Sequence, residues 1–152
     1  ESVDMMNRII LEAEGDEAYQ ASTTSKQNVV EPTVSDAITL AARQVAETMN
    51  ANCIVTYTTS GSTTLRAARE RPTVPILCVT SSLSTARRMA IAWGIHSVHI
   101  DQEERFSTVV KRAVDIAETQ GFASSGDHIV ITAGVPMGKS GSTNVLRIER
   151  IP

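Results

Sequence analysis

Two short stretches of the sequence have residue types that are suited to binding phosphate. The first is TTSGST, residues 58–63, and the second is GKSGST, residues 138–143. Both combine a glycine, which lets the backbone approach a ligand closely, with hydroxyl groups that can donate hydrogen bonds. The second also contains Lys139, whose charge could neutralise an anion. Binding of a phosphorylated ligand is therefore the first chemistry to consider.

The GKSGST stretch does not match the phosphate-binding loop of nucleotide-hydrolysing proteins. That loop needs a glycine five positions before the glycine of Gly-Lys, and a helix that begins at the following hydroxyl residue. Ala133 occupies the glycine position, and VLRIERI, residues 145–151, has the composition of a strand. Two interpretations stay open: a hairpin tip without function, or a loop in which Lys139, Ser140 and Gly141 help to cover an anion.

The TTSGST stretch lies between a predicted strand, CIVTYT, and a predicted helix, TLRAARER, that ends at Pro72. The first amides of a helix lack partners within it, and the helix dipole favours negative charge there. The plainer interpretation is a helix cap rich in hydroxyl groups. The phosphate hypothesis assigns the site to Thr58, Thr59, Ser60, Gly61, Ser62 and Thr63.

Energetics limit what such a loop can bind. Each charge-assisted hydrogen bond contributes about 1.5–3 kcal/mol, and association costs at least about 4 kcal/mol. A single phosphate would therefore bind weakly. A second phosphate, held by Lys139 or by a neighbouring arginine, would raise the affinity considerably.

The sequence shows no catalytic or metal-binding constellation. His96 and His99 are three residues apart on a predicted strand, so they face opposite sides of the sheet and cannot share a metal. An acidic set near the N-terminus is expected to be a solvated helix end. It comprises Glu12, Glu14, Asp16 and Glu17. Arg66, Arg69 and Arg71 are predicted to form a solvated face, with an effector clamp as the alternative.

Alternating strand and helix patterns predict an α/β domain with three layers and a mostly parallel sheet. Thr33 and Asp36 form a capping box before a helix with regular apolar spacing. The later strands are predicted at PILCVT, IHSVHI and HIVITAG. Two more helices are predicted, at STARRMAIAWG and at ERFSTVVKRAVDIAETQG. The first of them would have Leu83, Ala86, Ala90 and Trp93 on one face and Gly94 as its C-terminal cap. The short connection before VLRIERI favours an antiparallel fifth strand.

Length and composition indicate one compact α/β domain of 152 residues. The charges nearly balance, with 14 basic and 17 acidic residues, and they are scattered along the chain, which argues against nucleic acid and anionic membrane as partners. Cys53 and Cys78 lie in predicted strands, and no apolar run reaches 18 residues. We therefore expect a cytoplasmic protein with free thiols.

The chain divides into three predicted parts. Residues 1–18 form an amphipathic helix that would connect to a missing domain, residues 19–33 form a polar linker, and residues 34–152 form the α/β domain. Met89 and Trp93 are expected in the core or on a packing face.

Several stretches together resemble the C-terminal domain of pyruvate kinase. They are SVDMMNRI, TTSGSTTLRAARERPTVPILCVT, TARRMAIAWGI, GFASSGDHIVITAGVP and GSTNVLRI, which are similar to that domain in order and spacing over nearly the whole chain. The resemblance implies a five-stranded sheet with an antiparallel last strand. It also implies an allosteric site for a sugar phosphate or related effector, and one of the two subunit contacts of a homotetramer.

In that family phosphoenolpyruvate, ADP, Mg²⁺ and K⁺ bind on a catalytic barrel, so the resemblance implies no catalytic residue, metal or cofactor in this chain, and a fragment that is inactive alone. By the same resemblance, residues 58–63 match the phosphate loop and residues 138–143 the loop that closes over the effector. Members activated by a sugar bisphosphate often have a basic residue in the phosphate loop, where this chain has Thr59 and Ser62. A monophosphate, a nucleotide or no effector all stay open. The rival hypotheses are a free-standing phosphometabolite-binding module and a purely structural assembly domain.

Overall fold

A computed structural model describes residues 1–25, 31–102, 105–139 and 141–152, and it contains six helices and five strands within those residues. The helices are α1 Ser2–Gly15, α2 Glu17–Ser25, α3 Val34–Met49, α4 Ser62–Arg69, α5 Leu83–Met89 and α6 Phe106–Thr119. The strands are β1 Cys53–Tyr57, β2 Ile76–Thr80, β3 Ile95–His99, β4 His128–Gly134 and β5 Thr143–Arg150.

The five strands form one sheet in the order β3-β2-β1-β4-β5. β1 pairs in parallel with β2 and β4, β2 pairs in parallel with β3, and β5 runs antiparallel to β4. The predicted fold class, including the antiparallel last strand, is confirmed. The chain proceeds from β1 outward to β3 and then returns to place β4 on the other side of β1, so the direction of winding changes between β1 and β4.

Helices cover both faces of the sheet, which explains why β1 and β2 are buried along their whole length. Alternate residues of β1 illustrate the arrangement, since Val55 packs in the cluster that contains α6, and Ile54 packs with Ala42 and Ala46 of α3. α4 covers the latter face beside β2, where Ala67 packs with Ile76. Both cysteines are buried free thiols, as predicted.

Helix α3 begins as the capping box predicts, with the amide of Asp36 donating to the Thr33 hydroxyl at 3.2 Å. Its buried side, however, carries polar groups in its first half. The buried residues are Ser35, Asp36, Thr39, Ala42 and Ala46. Val34 and Met49, which follow the apolar spacing, are exposed. The helix was therefore predictable, but the side that it buries was not.

Two predictions about local structure are wrong. α5 ends at Met89 with Ala90 as its C-cap, so Trp93 lies beyond the helix and Gly94 does not cap it; Leu83 is exposed. The polar stretch assigned to a linker contains the helix α2, whose first amides are capped by the Asp16 carboxylate at 2.8 Å and 3.1 Å. Residues 26–30 of that stretch lie outside the described residues, and the division of the chain at residues 18 and 33 stays a prediction.

Helix α1 contacts α2 and buries none of its residues, all of which are described. Its exposed apolar side chains are Val3, Met5, Met6, Ile9, Ile10 and Leu11. The connection to the α/β domain includes a hydrogen bond from the Trp93 indole to the Glu14 carboxylate at 2.5 Å. The amphipathic pattern of α1 thus predicts a packing surface that these residues leave uncovered.

Candidate functional site

A narrow cleft opens at the carboxyl ends of β1 and β4, where the direction of winding changes. This position in an open α/β sheet is where loops diverge and leave room for a ligand. The loop after β1 forms one wall, and the hairpin between β4 and β5 forms the other. The described residues that line the cleft are Tyr57, Thr58, Thr59, Thr63, Gly134, Met137, Gly138, Lys139, Gly141, Ser142 and Thr143.

The predicted site residues divide into two groups around this cleft. Thr58, Thr59 and Thr63 line it from one side, with Lys139 and Gly141 across from them. Ser60, Gly61 and Ser62 do not line the cleft and continue the loop into α4. Ser140 lies outside the described residues. Two stretches separated by some 75 residues of chain are therefore brought together, although their assignment as a binding site stays a prediction.

The N-terminus of α4 carries backbone amides without a partner in the described part of the protein. Its N-cap is Gly61, with φ of 87°, which has no side chain to cap the helix, and the Ser62 amide donates to the Ser60 hydroxyl at 3.4 Å. Among the described residues, the amides of Thr63 and Thr64 have no acceptor. Hydroxyl groups of the stretch accept from the amides of Gly61 and Ser62 but not from those of Thr63 and Thr64, so a hydroxyl-rich cap and an anion site both stay open. The free amides and the positive end of the helix dipole lie at this N-terminus, and both stabilise an anion placed there.

Gly61 is required by both its conformation and its surroundings. Its positive φ is costly for other residues, and a Cβ there would lie 3.0 Å from Cε of Met89. Met89 is fully buried, which confirms the prediction that it belongs to the core. Met89, which packs beneath the loop, thus belongs to α5. The sequence of the loop alone does not predict this contact.

Helix α5 also binds the loop through two hydrogen bonds. The Thr85 hydroxyl donates to the Thr59 carbonyl at 2.8 Å, and the Arg88 guanidinium donates to the Ser60 carbonyl. These donors occupy carbonyl oxygens whose partial negative charge would otherwise oppose an anion. Sequence reasoning missed both residues because they lie more than 25 positions away from their partners and belong to no phosphate motif.

The hydroxyl groups of the loop already have partners within the protein. Thr58 Oγ1 accepts from the Gly61 amide at 3.0 Å, and the Ser60 hydroxyl donates to that of Ser62 at 3.1 Å. Thr63 Oγ1 lies 2.5 Å from Thr143 Oγ1 at the start of β5. A hydroxyl has one donor and two acceptor positions, so a ligand would have to share or replace some of these bonds.

The hairpin wall is held in shape by its own side chains. The Asn144 amide group pairs with both the N–H and the carbonyl of Val135, at 2.8 Å and 2.6 Å, and the Ser142 hydroxyl donates to the Lys139 carbonyl at 2.8 Å. A Cβ on Gly134 would lie 2.8 Å from the Ser142 carbonyl oxygen. The strand β5 follows this hairpin, which confirms that GKSGST is not a nucleotide-hydrolase loop.

The charge around the cleft favours an anion. Among the described residues that line it, Lys139 is the only cation and no carboxylate is present. The Lys139 side chain is exposed and therefore free to turn toward a ligand.

A buried ion-pair cluster lies behind the α4 wall. Asp36 of α3 is fully buried and lies 2.8 Å from Nε of Arg66 and 3.0 Å from an Nη of Arg69. Burial by itself would raise the pKa of the Asp36 carboxyl, but hydrogen bonds and charge from Arg69 and then Arg66 outweigh it and hold that pKa below its ordinary value. The prediction that these arginines form a solvated face is wrong.

A larger cleft of about 460 Å³ lies near the opposite edge of the sheet, before β2 and β3. The Arg71 guanidinium stacks on Trp93 at 4.4 Å from the ring centre, and the Trp93 indole donates to Glu14. Arg71, like the other two arginines, therefore has a structural partner. The polar groups here are already engaged with one another, and the amino ends of parallel strands are not the edge where ligands usually bind.

Other chemistries find no support within the described residues. No group of three or more His, Cys, Asp and Glu side chains there could hold a metal ion. Burial raises the pKa of the Cys53 thiol to about 12 and also raises that of Cys78, so neither is a reactive thiolate near neutral pH. In the part of the chain that is described, no helix combines the length and apolar character needed to cross a bilayer.

Comparisons with known proteins agree on one family. Residues 36–149 match the family model described as pyruvate kinase, alpha/beta domain. The chain is 39% identical to a pyruvate kinase of Methylorubrum extorquens over 97% of this chain and 31% of that protein. It is 33% identical to a pyruvate kinase of Clostridium acetobutylicum over 98% of this chain and 32% of that protein. The chain therefore spans about a third of the length of these relatives.

A solved structure is similar as well. The crystal structure of a pyruvate kinase from Cryptosporidium parvum superimposes with a TM-score of 0.72 at 27% sequence identity. The match covers 80% of this chain and 24% of that one. The similarity thus extends from sequence to the course of the backbone.

Proposed function

Because this chain belongs to the pyruvate kinase family and contains that family's α/β domain, we propose that it is the regulatory and subunit-contact part of a glycolytic enzyme. The parent enzyme would transfer a phosphoryl group from phosphoenolpyruvate to ADP, giving pyruvate and ATP. Its Mg²⁺ and K⁺ would bind on a catalytic barrel outside these 152 residues. We propose that the enzyme is cytoplasmic.

The cleft between β1 and β4 is the proposed site for a phosphorylated effector. The observation that carries this proposal is Thr63 at the start of α4, which has an amide without a partner among the described residues and lines the cleft together with Lys139. Backbone amides and one flexible cation recognise phosphate oxygens and make few demands on the rest of the ligand. Sugar phosphates and nucleotides are therefore both candidates.

The size of the cleft limits how binding can occur. Its volume is about 20 Å³, which accommodates about one water molecule. A phosphate group is larger, so the hairpin wall has to move away from α4 before the ligand enters. The proposal therefore includes a change in hairpin position on binding.

Calorimetric titration of the enzyme with mono- and bisphosphorylated sugars and with a nucleotide tests the site directly. We expect Lys139→Gln to weaken binding by about 10- to 150-fold, as loss of one charge-assisted hydrogen bond of about 1.5–3 kcal/mol would. Lys111→Gln is the matched control, since Lys111 is also exposed but lies on α6 across the sheet. The site proposal fails if no ligand releases heat, or if the two lysine variants bind equally.

The isolated chain is expected to have no catalytic activity. A coupled assay that follows pyruvate formation from phosphoenolpyruvate and ADP should give no signal above the blank. Activity of the 152 residues would contradict the assignment of catalysis to a separate barrel.

A purely structural role is the second candidate, and the closed cleft favours it. The Thr63–Thr143 hydrogen bond occupies a hydroxyl that a ligand would use. Under this alternative the domain serves only the homotetramer that we propose for the parent enzyme. Sedimentation of the parent enzyme would then show tetramers, and its catalytic activity would not change when phosphorylated ligands are added. An effector role predicts instead that the activity depends on such a ligand.

A further inference from the structure

The first turn of α3 contacts both walls of the cleft without lining it. Two consecutive residues make these contacts, Ser35 toward the hairpin and Asp36 toward α4. Both are buried, although polar side chains usually avoid burial unless they have partners. Their burial therefore needs an explanation that the apolar pattern of α3 does not supply.

Ser35 holds the end of the hairpin. Its hydroxyl lies 3.2 Å from the Gly141 carbonyl and 3.4 Å from the Thr143 carbonyl, so one proton is shared between two acceptors. Ser35 is 7% exposed and Thr143 is 2% exposed, which shields the bond to Thr143 from water, whereas Gly141 is exposed. Thr143 also bonds across the cleft to Thr63. The hairpin is thus fastened to α3 and to α4 at the same residue.

Asp36 holds the other wall. Its carboxylate binds Arg66 and Arg69, which project from the last turns of α4, and it also accepts from the Glu31 amide at 3.1 Å. α4 is the helix whose first turn contributes Thr63 to the lining of the cleft. A short helix held at its far end by a buried ion pair has little freedom to move, so the hairpin is the wall that can open.

We propose that Ser35 is a positioning residue that latches the hairpin over the cleft, while Asp36 keeps the α4 wall fixed. The closed cleft has room for one water molecule, so an anion must break this latch to enter. Ser35 thereby sets how often the site is open. This effect on binding rests on the proposed phosphate site, whereas the latch on the hairpin does not.

Amide hydrogen exchange measured by NMR on the complete chain tests the latch. Ser35→Ala should speed exchange at the hairpin amides around Gly141 and Thr143 by about 2- to 10-fold, the factor expected for one net hydrogen bond. Exchange in β1 should be unchanged. Thr39→Val is the matched control, because Thr39 is buried on the same helix but its hydroxyl donates within α3, to the carbonyls of Ser35 and Asp36.

Titration with inorganic phosphate and with pyrophosphate tests the consequence for binding. If the latch limits entry, Ser35→Ala should bind the anion more tightly than the wild type by the same factor as its hairpin exchanges faster. Thr39→Val should bind as the wild type does. This result is the opposite of the one expected if Ser35 merely supported the folded site, since a damaged site would bind more weakly.

The outcomes separate the latch from the proposed function. Equal hairpin exchange in Ser35→Ala and wild type would overturn the latch, as would a rise in exchange throughout the sheet. Faster hairpin exchange with weaker anion binding would overturn the gating role. Faster hairpin exchange with no anion binding to any variant would support the latch and remove the proposed phosphate site.

Discussion

The α/β domain and helix α1 contain similar apolar side chains, but the domain buries them and α1 leaves them exposed. Ile131 in β4 is 0% exposed, and Ile9 in α1 is 61% exposed. The strand is flanked by β1 and covered by α6, whereas α1 contacts α2 and buries nothing. An apolar stripe is therefore necessary for burial but not sufficient, because it needs a facing surface. The apolar stripe on α1 has no facing surface among the described residues.

The largest effect is expected from truncating the domain core. Ile131→Ala should lower the free energy of unfolding by about 3–4 kcal/mol, from lost burial and the cavity left in a layer that cannot collapse fully. Urea denaturation followed by circular dichroism measures this loss. A cost below about 1 kcal/mol would show that the layer between α6 and the sheet is loosely packed.

A smaller loss is expected at the buried ion pair. Asp36→Asn should cost about 2–3 kcal/mol in unfolding free energy, because it removes the carboxylate that Arg66 and Arg69 share. The partial exposure of both arginines and the second pair of Arg69, with Glu70, temper the penalty. Glu47→Gln is the control on the same helix. It breaks an (i, i+4) pair with Arg43 and should cost about 0.5 kcal/mol or less. Similar costs for the two variants would contradict the anchoring role of Asp36.

The same carboxylate predicts a dependence of stability on pH. Because the folded-state pKa of Asp36 is lowered, its contribution is complete above the ordinary pKa of 3.8 and is lost as the pH falls through the lower folded value. Denaturation at pH 6 and at pH 3 should therefore show a steeper acid loss in the wild type than in Asp36→Asn. Parallel loss in both proteins would assign the acid sensitivity to other carboxylates.

The hydrogen bond between Trp93 and Glu14, which connects α1 to the α/β domain, should contribute little to stability but should affect the fluorescence of Trp93 strongly. Trp93 is the sole tryptophan, so its emission reports on this contact. Glu14→Gln should change unfolding free energy by less than about 1 kcal/mol. It should nevertheless shift the emission, because the charged partner of the indole is lost. Glu12→Gln, on the same helix, serves as the control, and identical spectra for both variants would mean that the contact is not formed.

The smallest effect is expected on α1 itself. Ile9→Ser should change the stability of this chain by no more than about 0.5 kcal/mol, as at other exposed sites. In the parent enzyme the same change should cost more, because the helix would then be covered. Thermal unfolding of both proteins measures the contrast, and a large cost in the isolated chain would mean that α1 is already packed.

Much of the fold was predictable because it rests on local patterns. The fully buried strands β1 and β2 read as continuous apolar runs, and the Thr33 cap of α3 is a property of four consecutive residues. The candidate site was predictable in part. Glycine and hydroxyl residues after β1 marked one wall, but nothing adjacent in sequence marked the contributions of Thr85, Arg88 or Ser35.

The sequence by itself determined the alternation of strands and helices from α3 onward, the antiparallel return of the last strand and the family, since each depends on periodicity, short connections or motif order. Only the tertiary structure decided that α5 stops at Met89, that Asp36 faces inward to meet Arg66 and Arg69, and that Ser35 reaches the hairpin over a hundred residues away. The physical reason is that the identity of a polar residue in the sequence does not reveal whether its side chain will face water or a buried partner. Its environment is chosen by elements that meet it only after the chain has folded.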